Sequence, residues 1–452
     1  MAVVMRTRFD ATQRALAIGL VLSVTLVAFE STAVITALPT ITDELHGIAL
    51  YGTTIAAYML ADLIALVWSS ETADRRGVRL PFLVCIGIFV AGLIVAATAQ
   101  SMIFVVAGRF LQGAGSGGFA PLAYISVRRA FPPDRQASMY AYLSAGWVLP
   151  SLVAPALAGA VTDAFGWRWV FIGITPLALT VALLTARAMR SMTAAEHIDD
   201  RRASRLPRAV QAASGVGLIA FGMQSRNPIV VAVLTIVGLI VAIPALRTLW
   251  PAGVFRARRG LPAIVAVRFL VTATFLGVDS FIPLAADRLH GARPIVQGFV
   301  VAGSAVFWST GQAYAARRGD RLSPRRGATT GFGLMLLGIA AAAPVLSPSW
   351  PLALTFVGWC IGGLGIGILF NPTTVASMSY ATDGREGEIS SQIHLADSLG
   401  FGVMSIVGGA TVALSDHTSL SLQGALGINF ALAATLATIG LLAARGARSF
   451  AG

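Results

Sequence analysis

Fourteen apolar stretches of roughly helix-spanning length succeed one another along this chain, divided by short polar segments that carry most of its arginines. About twenty apolar residues are what a helix needs to cross a hydrocarbon core of roughly 30 Å. The stretches lie near 15–38, 51–69, 81–99, 103–127, 138–161, 168–188, 207–223, 228–246, 262–285, 296–315, 328–346, 351–379, 390–413 and 424–443. They predict an all-α polytopic membrane protein with fourteen transmembrane helices. The seventh is the weakest, because Ser214, Gly215 and Gly217 dilute it. Composition agrees: 56% of the 452 residues are hydrophobic and only 12% charged, where a soluble domain carries roughly 25%. The first stretch is too long for a signal-peptide core and thirteen others follow it, so it is expected to remain as an uncleaved helix.

A net charge of +13 raises the question of nucleic acid, but every basic residue is an arginine and their placement follows the loops. With the N-terminus inside and alternating helices, 27 arginines fall on the inner side. Four fall outside (Arg168, Arg226, Arg288, Arg293) and two within helices (Arg109, Arg268). Such a bias predicts both termini in the cytoplasm. The charge is a topology signal, and no nucleic-acid partner is expected. Cys85 and Cys360 both sit inside apolar stretches and read as small core residues rather than a disulfide or metal pair. Gly362–Gly367 resembles a phosphate loop only superficially, lacking the lysine and the strand. With no Ser-His-Asp pattern and no dense metal-ligand cluster, neither an enzyme, a metal nor a cofactor is expected.

The longest polar stretch, Ser191 to Arg208, reads as a cytoplasmic loop between two halves. An acid-arginine element recurs in two inner loops, Ser70–Leu80 and Gly319–Gly327. If the two are equivalent, residues 1–190 form one six-helix bundle, 249–452 a second, and 191–248 hold the loop and an inserted helix pair. Trp250 and Phe255, among clustered arginines, suggest a segment lying at the inner interface.

Glu30 lies deep in the first stretch, where an unpaired acid costs roughly 2.5–3.5 kcal/mol or more, so an intramembrane carboxylate is a functional candidate. Arg109, Gln112 and Ser116 share one face of helix four, and a buried guanidinium keeps its charge and needs a partner. Helices one and four run in opposite directions and bring Glu30 and Arg109 to similar depth. The pair reads either as a proton-coupling couple or as a static ion pair that fixes helix packing. Thr54, Tyr58 and Asp62 are spaced i, i+4, i+8 on helix two; Arg268, Thr272, Phe275 and Asp279 lie near one face of the ninth stretch; His394 and Asp397 stand at i, i+3 on the thirteenth. Each of these titratable residues is a candidate to carry a proton or meet a cationic substrate, His394 near neutrality. The plainer reading is that Asp62 or Asp279 satisfies a nearby arginine, and that His394 and Asp397 are hydrated near the inner boundary.

These residues resemble the major facilitator superfamily, and within it the fourteen-helix drug:proton antiporters. Ser70, Asp74, Arg75, Gly77 and Arg79 fall on the family's Gly-x-x-x-Asp-Arg-x-Gly-x-Arg loop, with serine in place of the first glycine. That resemblance implies a gate, with Asp320 and Arg321 as a weaker second-half counterpart. Arg109-Phe-Leu-Gln112-Gly is similar to the family's helix-four element, and Glu30 with Thr32 and Ala37-Leu38-Pro39 to its helix-one signature, where aspartate is commoner at the acid position. Of the antiporter signature in helix five, Pro155 and Gly159 match strictly, while Pro150, Ala154 and Ala158 depart from it. Trp167 to Phe171 and Pro176 resemble the opening of helix six.

The resemblance implies two six-helix bundles plus two inserted helices and a proton-coupled efflux transporter of amphipathic small molecules, lipophilic cations included. Protons would be the coupling ion, Tyr58, Gln112, Phe275, His394 and Asp397 would line the cavity, and membrane lipid would surround a monomer. A bacterial plasma membrane is the expected location, in keeping with the lysine-free, alanine- and arginine-rich usage. A proton-linked uptake carrier and a lipid or metabolite exporter share the fold and stay open. A membrane enzyme lacks its nucleophile or metal, and a scaffold would have no need of the gate motif and buried charges.

Overall fold

The computed structural model describes residues 11–189, 204–223, 225, 227–380, 386–415 and 418–448. Most of the polar stretch expected between the halves lies outside them. Sixteen α-helices form: α1 (Ala11–Glu44), α2 (Tyr51–Arg76), α3 (Arg79–Ala97), α4 (Met102–Ser116), α5 (Phe119–Ala130), α6 (Pro133–Phe165), α7 (Arg168–Ala188), α8 (Leu206–Gly222), α9 (Pro228–Leu249), α10 (Leu261–Asp279), α11 (Ile282–His290), α12 (Pro294–Arg318), α13 (Pro324–Ala342), α14 (Leu352–Met378), α15 (Glu386–Ser415) and α16 (Leu422–Ala444). Every apolar stretch expected from the sequence coincides with one helix or with a pair divided by a short break. The breaks fall at Gly117–Gly118 between α4 and α5, and at Ser280–Phe281 between α10 and α11. Ten of the rods are long and apolar enough to cross a membrane by length and composition. The other four are the divided α4–α5, α6, of which only Val153–Phe165 enters this comparison, the 17-residue α8 and α12.

The packing of the first six rods repeats in the last six. In the first set α1 packs on α6 and α7, α3 on α4 and α7, and α2 on α4; in the second set α10 packs on α15 and α16, α13 on α14 and α16, and α12 on α14. Two helices cross between the sets in a reciprocal way, α6 against α12 and α2 against α15. The inserted pair, α8 and α9, forms a hairpin that leans on α2. It shares a small apolar core with α2, α10 and α15 through residues such as Leu60, Leu63, Ala212, Ala245 and Leu399.

Polar contacts distinguish the two ends of the assembly. At the terminal face, Gln13 bonds to the Ala130 carbonyl and Gly260 N–H to the Gly446 carbonyl. At the opposite face the two sets close on each other. Arg288 pairs with Asp43 at 3.0 Å, Arg293 with Asp163, and the Tyr51 hydroxyl donates to the Ser280 carbonyl at 2.7 Å. The backbones also touch there. A methyl group at Gly298 would stand 2.2 Å from the Pro155 carbonyl oxygen, and one at Gly159 would stand 2.4 Å from that of Pro294. Pro155 and Gly159, expected on the antiporter-motif helix, therefore form part of the seam between the sets, while Pro150 is buried within α6.

Candidate functional site

Three helices bring the first cluster together. Glu30 on α1 is fully buried and accepts from the Arg109 guanidinium of α4. The same Nη1 also donates to Gln112 Oε1 at 2.9 Å, one turn along α4. The guanidinium carbon lies 4.1 Å from the centre of the Tyr58 ring of α2, a cation–π distance. α2 and α4 approach this closely because Gly113 and Gly117 present bare backbone to the carbonyls of Tyr58 and Asp62; a methyl group at either would come within 2.2 Å of those oxygens. The pairing of Glu30 with Arg109 and the shared face of Arg109, Gln112 and Ser116 were both legible in the sequence. Four buried polar atoms of the cluster, Glu30 Oε2, Arg109 Nε, Gln112 Nε2 and the Tyr58 hydroxyl, make no hydrogen bond.

The second cluster belongs to the repeated set, and the residues around it correct three expectations. Arg268 on α10 is held by Asp397 of α15, bidentate, with Nε to Oδ1 at 2.9 Å. Its Nη1 donates to Thr374 at 2.8 Å, and it stacks 3.4 Å over the Phe370 ring. Asp397 is thus an ion-pair partner rather than a hydrated residue near the boundary. Neither Asp62 nor Asp279 pairs with an arginine among the described residues. Asp279 accepts from Ser304 at 3.0 Å and from the Trp359 indole at 2.6 Å, both neutral donors. Phe275, expected to line a cavity, is packed instead, stacked on Trp359 at 4.9 Å and edge-on to Trp308 at 5.5 Å. His394 does face open space. It lines a cleft at the terminal side between α2, α15 and the inserted hairpin, with Leu63, Leu66, Arg205 and Ser398.

The loop after α2 turns at Gly77, whose φ of +79° suits glycine. The partner of Asp74 was missed in the sequence: Arg129, at the end of α5, donates to it at 3.0 Å and to the Ala73 carbonyl at 3.2 Å. Arg75 and Arg79, which share the loop with it, are exposed beside it. The loop before α13 turns at Gly319 with φ +48°; Arg321 is exposed there, and the Asp320 side chain lies outside the described residues. Asp74 is exposed while Arg129 is mostly covered, so with one partner in solvent the pair is worth about 1 kcal/mol or less and can break and re-form during a cycle. Asp74→Asn is expected to slow turnover severalfold while substrate affinity stays within twofold, read by initial transport rates beside equilibrium binding. Unchanged turnover would reduce this element to a simple loop.

A second carboxylate near that loop is spoken for. Glu71 accepts from the Ser204 hydroxyl at 2.6 Å and the Arg205 backbone N–H at 2.7 Å, and so satisfies an N–H at the start of the inserted hairpin.

Comparison with known proteins places these features in a family context. The profile of the Major Facilitator Superfamily matches residues 20–290. A protein of Mycobacterium tuberculosis named a probable multidrug-efflux transporter is 26% identical over 382 residues, covering 80% of either chain. Multidrug resistance protein 3 of Bacillus subtilis is 24% identical over 82% of this chain and 74% of its own. An MFS-type transporter of Fusarium mangiferae is 34% identical, but over only 38% of this chain and 29% of that one. Among solved structures, a bacterial homologue of the human lysosomal transporter Spinster, in an inward-facing and occupied conformation, superposes with a TM-score of 0.69 at 15% identity. That match covers 97% of this chain and 98% of the other.

Proposed function

The chain belongs to the major facilitator superfamily, as a multi-pass membrane transporter and not an enzyme, and on that premise we propose that it exports amphipathic small molecules in exchange for protons. The observation that carries this reading is the buried Glu30–Arg109 pair with its standby partners. An arginine keeps its charge at any accessible pH, so when Glu30 takes a proton the guanidinium must be held by something else. Gln112 and the Tyr58 ring already touch it. Protonation of Glu30 therefore breaks one contact without stranding the cation, as a reversible coupling step requires. The multidrug-efflux names of the bacterial relatives agree with an export role.

The reciprocal packing of the two sets supports alternating access around a central site, with residues 1–190 and 249–452 as the two bundles, fourteen crossings and the terminal face in the cytoplasm of a bacterial cell. In this frame Asp279, held by the neutral donors Ser304 and Trp359, receives the charge of a lipophilic cation. A membrane potential of ~100 mV is worth about 2.3 kcal/mol per proton and one pH unit about 1.4. One proton then sustains a gradient of roughly a few hundredfold for a neutral substrate, and of about tenfold for a monovalent cation, whose own exit against the potential cancels the first term.

Proteoliposomes loaded under an imposed pH gradient with the fluorescent cation ethidium test the reading. Wild type is expected to accumulate the dye in proportion to the gradient, and Glu30→Gln to lose at least about nine-tenths of that gradient-driven component. Equal pH-driven accumulation by both would remove Glu30 from coupling.

A further inference from the structure

Glu30 is sealed from both faces, so a proton that reaches it has to leave by a defined path. The path visible in the structure runs along the contact of α2 with α4. The Tyr58 hydroxyl is buried and makes no hydrogen bond of its own, yet it approaches both Glu30 and Ser116. Ser116 in turn points at Asp62, its hydroxyl 3.5 Å from Oδ1. Ser398 of α15 approaches the same carboxyl from the other bundle, and Ser398 and His394 line the terminal-side cleft beside Leu63 and Leu66. The polar atoms thus form a file from the sealed pair to open space. Gly113 and Gly117 of the α4 segment bring its backbone against the Tyr58 and Asp62 carbonyls along the same contact.

We propose that Asp62 is the station through which the coupling proton passes between Glu30 and the terminal-side cleft, with the Tyr58 and Ser116 hydroxyls as bridges. The transfer balances. Glu30 gives its proton to the Tyr58 oxygen, Tyr58 gives its own to Ser116, and Ser116 gives its own to Asp62 Oδ1. Glu30 ends ionised and free to recapture Arg109, Asp62 ends neutral, and both hydroxyls are restored by rotation. Asp62 then loses the proton to the cleft. The titratable groups beside it are Tyr58 on its own helix, with Glu30 and Arg109 behind that ring, and Cys85 of α3; Ser398 links it to the cleft that His394 and Arg205 line. Among the described residues no guanidinium pairs with Asp62 as Arg109 does with Glu30, so the carboxyl accepts and releases a proton without breaking an ion pair.

The inference rests on the proton-coupled reading above, and the test separates the two. In the same proteoliposomes, Asp62→Asn is expected to lose at least about tenfold in pH-driven ethidium accumulation while ethidium counterflow, which needs no net proton movement, stays within about twofold. Asp62→Glu restores the driven component at least in part, and Tyr58→Phe lowers it severalfold. If Glu30→Gln abolishes driven transport but Asp62→Asn behaves as wild type, the relay is wrong and the coupling reading stands. If neither variant matters, both fail. Loss of counterflow together with driven transport in Asp62→Asn would make Asp62 a structural or substrate residue and overturn the relay.

Discussion

Arg109→Ala is expected to yield little folded protein. The substitution leaves Glu30, fully buried, without the cation that faces it, and removing one partner of a buried ion pair costs about 3–5 kcal/mol. That is a large part of a typical net stability of roughly 5–15 kcal/mol. The loss comes from the stranded carboxylate, so it should be reversible by neutralising that group. Arg109→Gln combined with Glu30→Gln should recover monodisperse protein and most of the thermal midpoint, yet show no pH-driven transport. Thermal unfolding in detergent, followed by the dye assay on whatever folds, reads both halves. A single Arg109→Ala as stable as wild type would mean that Glu30 is neutral or satisfied elsewhere.

Gly298→Leu should act on the cycle while sparing the fold of either bundle. A side chain at Gly298 meets the Pro155 carbonyl across the seam, as one at Gly159 would meet that of Pro294, and overpacking of a close contact costs about 1–3 kcal/mol. Because this contact joins α12 to α6, the penalty falls on the state in which the opposite face is shut. One to three kcal/mol shifts a two-state balance by roughly 5- to 150-fold. Spin labels on the two segments beside the Asp43–Arg288 pair, placed so as to leave that pair intact, should move to longer distances, and transport should fall at least tenfold. An unchanged distance distribution would show that the seam can absorb the side chain, and would exclude this contact as the closing element.

Much of the architecture was legible because lipid leaves a chain few choices: each apolar stretch became a helix, and Glu30 and Arg109 were matched by depth alone. Partners that depend on the rotation of a helix about its axis were harder to read. α3 and α9 are apolar nearly all round, and such helices announce no inward face. Arg268 therefore gave no sign that Asp397, far away in sequence, was its partner, and Asp279 looked equally able to serve. Asp74 was placed in its loop, but Arg129 was not singled out from the other arginines of the inner loops, although both loops lie on the same side. Asp62 was visible as an acid on a polar stripe. Its nearness to Ser398 and the cleft depends on how the two bundles meet, which periodicity within one helix does not encode.

The inserted hairpin turns much of its surface outward: along α9, Ile229, Val233, Ile236 and Ile240 are all exposed. It is also tied to α2 through Glu71, a turn away from Asp74 and two turns and more from Asp62. A mismatch between a hydrophobic segment and the local bilayer costs fractions of a kcal/mol per Å. A lipid-facing outrigger bonded to that helix carries such a load to the rod that bears both the loop and the acid.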